Sequence, residues 1–190
     1  MLVEGRSDAV VVGHLLRIHG LVRAHVEVMD GVTNVERDLT RLATSAPGAE
    51  VCGLFDAPEE GFVRRALARR GISAQSRADL ARAGFFGCDA DLEDELIRAL
   101  GADVVEEVVA DLGELPRFRT FQRQPEWRGR ARAAQLRRFT GSASGRKERL
   151  AAALAERLTP ETTPGPLARL VRYVGVSVAL AGCPDDSATR

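Results

Sequence analysis

The amino-acid sequence predicts an α/β fold: a small parallel sheet of about four strands with helices on both faces, then a helical C-terminal extension. Three observations carry this expectation. Short apolar runs alternate with amphipathic stretches of helical period through the first half, the pattern of parallel strands joined by crossover helices. From residue 91 onward only helical patterns recur. With 45% apolar residues in 190, the chain can bury one proper core, built mostly from aliphatic side chains because aromatics make up only 5%.

Taken in order, "MLV" is a first strand, short for a central one. "SDAVVVGHLLRIHG" reads as a helix with Ser7 as N-cap and Gly20 as its stop. "AHVEVMD" is a second strand ending at Asp30, and "NVERDLTRLATS" an amphipathic helix with Val35, Leu39 and Leu42 on one face. "EVCGLFD" is a third strand ending at Asp56. "PEEGFVRRALARRG" puts proline in its first turn and glycine past its end, as helices prefer. "GFFGCD" is a fourth strand. Two helices follow in "DLEDELIRALG" and "ADVVEEVVADLG". Pro116 and Pro125 then divide residues 114–141 into two or three short helices. "SGRKERLAAALAERL", with Ser144 near its start, and "PGPLARLVRYVGVSVALAG" complete the chain before a loose tail, "CPDDSATR". The expected organisation is an α/β core over 1–112, an Arg-rich helical extension over 113–182 packed on it, and a tail over 183–190.

No apolar run reaches the roughly 18 residues of a membrane span, and no basic leader precedes an apolar segment, so a cytoplasmic protein is expected. Cys52, Cys88 and Cys183 are isolated, which fits a reducing compartment and argues against structural zinc. His14, His19 and His25 lack shared-ligand spacing and read as structural.

The net charge of zero conceals an asymmetry. Residues 1–60 balance at −5 and residues 61–115 at −4, whereas residues 116–158 balance at +9. Such a division suggests a polyanion gripped by one part while another acts on it; the alternative is a basic segment folded onto an acidic body with its charges satisfied internally. Phe118, Phe121 and Trp127 lie among the arginines, placed either to stack on bases or to fill a core. Lys147 is the one lysine against 26 arginines, and a compact ammonium does what a planar guanidinium does not.

Acids fall at the carboxyl ends of the expected strands: Glu4, Asp30, Asp56, and Asp91 with Glu93. Ligands of open parallel sheets bind there, and carboxylates gathered there repel unless a cation lies between them. Oxygen donors suit magnesium or manganese. Singly, each acid also reads as an ordinary first-turn helix residue. Glu93 is harder to dismiss, since it shares a helical face with Ile97 and Leu100, where an acid needs a partner or an ion.

"LVEGRSD" resembles the opening motif of a Toprim domain, and "MDGVTNVERDL", "LEDELIRALG" and "GSASGRK" resemble later segments of Toprim domains in the OLD (overcoming lysogenization defect) nucleases, over about residues 2 to 150. The resemblance implies a Rossmann-like Toprim fold and magnesium- or manganese-dependent cleavage of DNA through two ions. It implies Glu4 as general base or ligand, Asp8, Asp56 and Glu93 as ligands with Asp91 and Glu60 as further ones, and Lys147 as charge stabiliser. Arg117, Arg119, Arg123, Arg128, Arg130 and Arg146 are then the expected grip on nucleic acid. Two departures stand out. Asp56 is followed by Ala57-Pro58, not by the second aspartate of Asp-x-Asp, so Glu59 or Glu60 would substitute or one metal would be lost. OLD proteins also carry an ATPase ahead of this domain; the expectation here is a stand-alone domain with a separately encoded ATPase as candidate partner and oligomerisation open. "GSASGRKE" is not a phosphate loop: Arg146 and Glu148 break the GxxxxGK[ST] spacing. A degenerate Toprim module that binds without cutting, and a Toprim enzyme working on RNA or in nucleotidyl transfer, are the alternatives.

Overall fold

A computed structural model describes residues 1–141 and 144–181; the expected tail at 183–190, and Cys183 with it, lies outside the described residues. Four strands form the sheet: β1 (Leu2–Val3), β2 (Glu27–Val28), β3 (Gly53–Phe55) and β4 (Phe85–Gly87). All pairings are parallel, in the order β2-β1-β3-β4, with Leu2 beside Glu27 and Gly53, and Leu54 beside Phe86. The strands are shorter than their apolar runs. At β2 the cause is visible: Met29 N–H still donates to Val3 O at 2.9 Å, but Asp30 (φ 55°) and Gly31 (φ 112°) then turn the chain away.

The helices are α1 (Arg6–Ile18), α2 (Val35–Ser45), α3 (Glu60–Arg69), α4 (Arg77–Arg82), α5 (Leu92–Leu100), α6 (Ala102–Asp111), α7 (Leu115–Gln122), α8 (Arg132–Thr140), α9 (Ser144–Ala155) and α10 (Gly165–Ala181). Helix α4 is additional to the expected elements, although the sequence carries its signal: Ser76 Oγ accepts from Asp79 N–H and Asp79 accepts in return from Ser76 N–H, a capping box.

Alternation along the strands splits the core in two. Leu2, Phe55 and Phe85 point to one face and pack with Val35, Leu39, Val63 and Leu67 of α2 and α3. Val3, Leu54 and Phe86 point to the other face and pack with Val11 and Leu15 of α1. That second cluster runs on without a break through Leu96, Val105, Phe118, Leu136, Leu150, Leu154 and Leu170. Helix α9 lies along α1, and α10 rests on β3 and β4. The C-terminal helices therefore share the sheet's own core.

Two strand glycines make room for rings on the α2/α3 face. A Cβ at Gly87 would stand 2.7 Å from the Phe55 ring, and one at Gly53 would stand 2.9 Å from Leu2 O and 3.0 Å from the Phe85 ring. Gly87→Ala is therefore expected to lower unfolding free energy by about 1–3 kcal/mol through overpacking. Urea denaturation checks this, and an unchanged midpoint would show that the Phe55 ring yields without cost.

Candidate metal centre at the carboxyl end of the sheet

The chain leaves β1 toward β2 on one side and leaves β3 toward β4 on the other. In parallel sheets the crevice at such a reversal of strand order is where ligands lie. Glu4 directly follows β1 and Asp56 directly follows β3, so both border this crevice. Asp8 is in the first turn of α1, Asp91 is the N-cap of α5, and Glu93 is in the first turn of α5.

Asp8 is 9% exposed, and its Oδ2 accepts from Gly5 N–H at 2.8 Å. Glu93 is 7% exposed, and its Oε1 is 3.2 Å from Lys147 Nζ. Glu59 accepts from Asp56 N–H at 3.1 Å, with the Glu4 side chain beside it. Asp91 has both oxygens engaged: one accepts from Asp94 N–H at 2.8 Å, the other from Arg137 Nε and Nη2 at 2.8 and 2.6 Å.

The electrostatics record the crowding. Burial, then the charges of Asp8, Asp91, Glu93 and Glu4, push Asp56 up to about 7. Burial also raises Asp8 to about 6, helped by Glu93 and Glu4 and opposed by the Gly5 amide and Lys147. Glu59 is raised by burial and by the neighbouring Glu4. Burial works against the Lys147 ammonium, but Glu93, Asp8 and Asp56 outweigh it and raise its pKa. Burial keeps the Cys88 thiol protonated beside Asp56.

Among the described residues, no three acid, histidine or cysteine side chains close around one point as a ligand shell does. Instead Asp8 accepts from a backbone amide, Glu93 pairs with Lys147, and Asp91 pairs with Arg137. The donor chemistry nevertheless fits a hard divalent ion: carboxylate oxygens only, with an excess of negative charge that raises their proton affinity. Glu4, Asp8, Asp56, Glu59 and Glu93 are the residues that would hold it.

Other sequence candidates are placed elsewhere. Glu60, expected as a ligand, instead accepts from Arg64 Nε at 2.8 Å and Arg77 Nε at 3.1 Å, and Arg64 first among its neighbours lowers its pKa. The 3₁₀ turn Ala57–Glu59 gives the inward position to Glu59. Asp30 is exposed beyond β2, near Arg37.

The basic segment divides. Arg117 and Arg146 pair with Glu114 at 3.2 and 3.7 Å, Arg146 also lying 4.3 Å over the Phe139 ring. Arg119 pairs with Glu106 at 2.5 Å, and Arg132 pairs with Asp103. Here the acidic body does neutralise the basic segment. Arg123, Arg128, Arg130 and Arg138 are exposed and make no ion pair among the described residues. A cleft of about 800 Å³ joins the two kinds of residue: Asp56, Asp91, Glu93 and Lys147 line it together with Arg130, Arg137 and Arg138. A more apolar cavity of about 610 Å³, lined by Cys52, Tyr173 and Val174, lies at the amino ends of β1 and β3, away from the acids.

The same fold occurs in the C-terminal region of the Xanthomonas campestris pv. campestris OLD protein, with a TM-score of 0.69 at 18% identity over 95% of each chain. A second structure of that region gives 0.70 at 20% identity, covering 95% of this chain and 93% of the other. The C-terminal region of the Burkholderia pseudomallei OLD protein gives 0.62 at 17% identity, covering 93% and 96%. No protein-family model and no curated protein matches the chain.

The raised carboxylates set a sign for stability. Asp8 and Asp56 hold protons in the folded protein that the unfolded chain releases near pH 4. Their contribution is complete below that pH and is lost as pH rises through about 6 to 7. In EDTA, Tm is expected to fall between about pH 5 and 8. Magnesium or manganese is expected to restore it more at the upper end, because the ion competes with protons. Asp56→Asn is expected to flatten the fall and raise Tm in EDTA, by about 2–4 °C per kcal/mol of repulsion relieved, while removing the metal response. A Tm for Asp56→Asn below that of the wild type at pH 8 in EDTA would contradict the crowding.

Proposed function

We propose that this chain is an OLD-like Toprim phosphodiesterase that nicks or cleaves DNA with magnesium or manganese. One observation carries the reading: acids from β1, α1, β3 and α5, far apart in sequence, meet at one end of the sheet with the chain's single lysine on Glu93. The fold likeness to the C-terminal regions of OLD proteins supports it.

Bound divalent ions would polarise the scissile phosphate and lower the pKa of the attacking water. Asp8, Asp56 and Glu93 would hold the ions, with Glu59 in the place the absent second aspartate leaves open. Glu4, beside Glu59 at the end of β1, would take the proton of the attacking water as general base. Lys147, kept charged by Glu93, Asp8 and Asp56, faces the phosphate as negative charge develops. Arg137 holds Asp91 at the rim and so fixes the start of α5, from which Glu93 projects. Arg130 and Arg138 carry the flanking phosphates, which positions the strand without reading its sequence. An ATPase is the candidate partner within this reading. Among the described residues no helix is long and apolar enough to cross a membrane.

The binding-only reading draws on one feature, Ala57-Pro58 in place of a second aspartate. Plasmid nicking in magnesium, manganese or EDTA separates the two. Nicking is expected with either ion and not in EDTA. Glu4→Gln is expected to lower it roughly 10²- to 10⁴-fold and Lys147→Ala roughly 10²- to 10³-fold. Lys147→Arg is expected to be impaired as well, because a planar guanidinium does not replace a compact ammonium against Glu93. Salt-sensitive DNA binding that survives all three variants, without cleavage in any metal, would establish the binding module instead.

A further inference from the structure

The phosphodiesterase reading leaves open whether the substrate is paired or unpaired where it is cut, and the wall of the cleft bears on this. Trp127 is the only tryptophan in the chain. Its indole is half-buried, with its centroid 5.0 Å from that of Phe121 and an interplanar angle of 30°. Phe121 is backed in turn by Phe139 at 5.8 Å and Phe118 at 6.4 Å. The ring therefore packs at the edge of an aromatic cluster, with part of its surface exposed.

The turn that presents the ring is tied down. The buried Gln135 donates from Nε2 to Trp127 O at 2.8 Å and accepts from Gln122 at 2.8 Å. Within the turn, Trp127 N–H and Arg128 N–H both donate to Gln124 O at 2.9 Å, and Gly129 takes a φ of 79°. A buried amide spent on the backbone of one surface aromatic fixes where that ring stands.

Trp127 also lies where two spaces meet. It lines the cleft that holds Asp56, Glu93 and Lys147, and it lines a neighbouring cavity of about 600 Å³ together with Arg117 and Arg138. Trp127, Glu126 and Arg138 are shared by both. An anchored aromatic face, an unpaired arginine beside it and carboxylates farther along the same cleft make a platform for one base of a strand whose phosphates track the arginines. A base inside a duplex has no free face to offer, so the platform selects a single-stranded or flipped nucleotide.

We propose that Trp127 stacks on an unpaired base next to the scissile phosphate and makes single-stranded or locally melted DNA the preferred substrate. This rests on the phosphodiesterase reading of the same cleft. Because the chain has one tryptophan, its fluorescence reports on the platform directly. In EDTA, an oligothymidylate is expected to quench Trp127, whereas the same strand made abasic and a blunt duplex of equal length are not. Trp127→Ala is expected to weaken binding of a dye-labelled oligothymidylate about 10- to 100-fold by anisotropy, while Trp127→Phe stays close to the wild type. Circular dichroism and urea midpoints confirm that both variants fold. Equal quenching by duplex, or a Trp127→Ala variant that binds the labelled oligothymidylate as tightly as the wild type does, would overturn the platform. If magnesium-dependent nicking persists in that case, the phosphodiesterase reading stands without it. Quenching by the single strand with no nicking in any metal would leave the platform standing and remove the phosphodiesterase.

Discussion

Mutual repulsion among carboxylates is the constraint round which this molecule is arranged. Glu4, Asp8, Asp56, Glu59 and Glu93 are held at one end of a four-stranded sheet, and burial denies them the water that would screen them. Such a cluster is unfavourable by itself, so the surrounding parts must hold it. The first turns of α1 and α5 present positive helix ends to Asp8 and Glu93. The Gly5 amide fixes Asp8, Arg137 fixes Asp91, and Lys147 fixes Glu93. The two cores supply the energy: apolar side chains on both faces of the sheet stabilise a fold that its own acids oppose.

Much of this arrangement is legible in the order of the residues. The alternation of apolar runs and helical periods locates four parallel strands, and the strand ends locate Glu4, Asp56 and Asp91. Glu93 on an apolar face needs a partner, and it has one. Where sequence and structure part, the causes are local. The apolar run "AHVEVMD" overstates β2 because hydropathy does not register the left-handed turn at Asp30 and Gly31. The sequence leaves Glu59 and Glu60 equal candidates; in the structure Glu59 ends the 3₁₀ turn and folds back onto Asp56 N–H, whereas Glu60 opens α3 and is taken by Arg64 and Arg77.

The basic segment shows a different limit. Its excess charge is plain in the sequence, but which arginines remain for a ligand depends on which acids α6 and the α6–α7 turn present. Glu106 and Glu114 take Arg119, Arg117 and Arg146, while Arg123, Arg128, Arg130 and Arg138 face outward. The aromatics sort in the same way. Phe118 is fully buried whereas Trp127 is on a turn at the cleft, and their spacing in a proline-broken stretch gives no sign of the difference.

The pairing of α9 with α1 has a consequence in time. Helix α1 brings Asp8, and α9 brings Lys147 from far later in the sequence, so the cluster gains its ammonium only when that later helix docks. On the ribosome the sheet strands emerge first, with their acids facing one another and no basic side chain yet delivered by the C-terminal helices. Contacts this distant in sequence also close slowly. The acid cluster is therefore chemically incomplete until residue 147 has been made and its helix has docked.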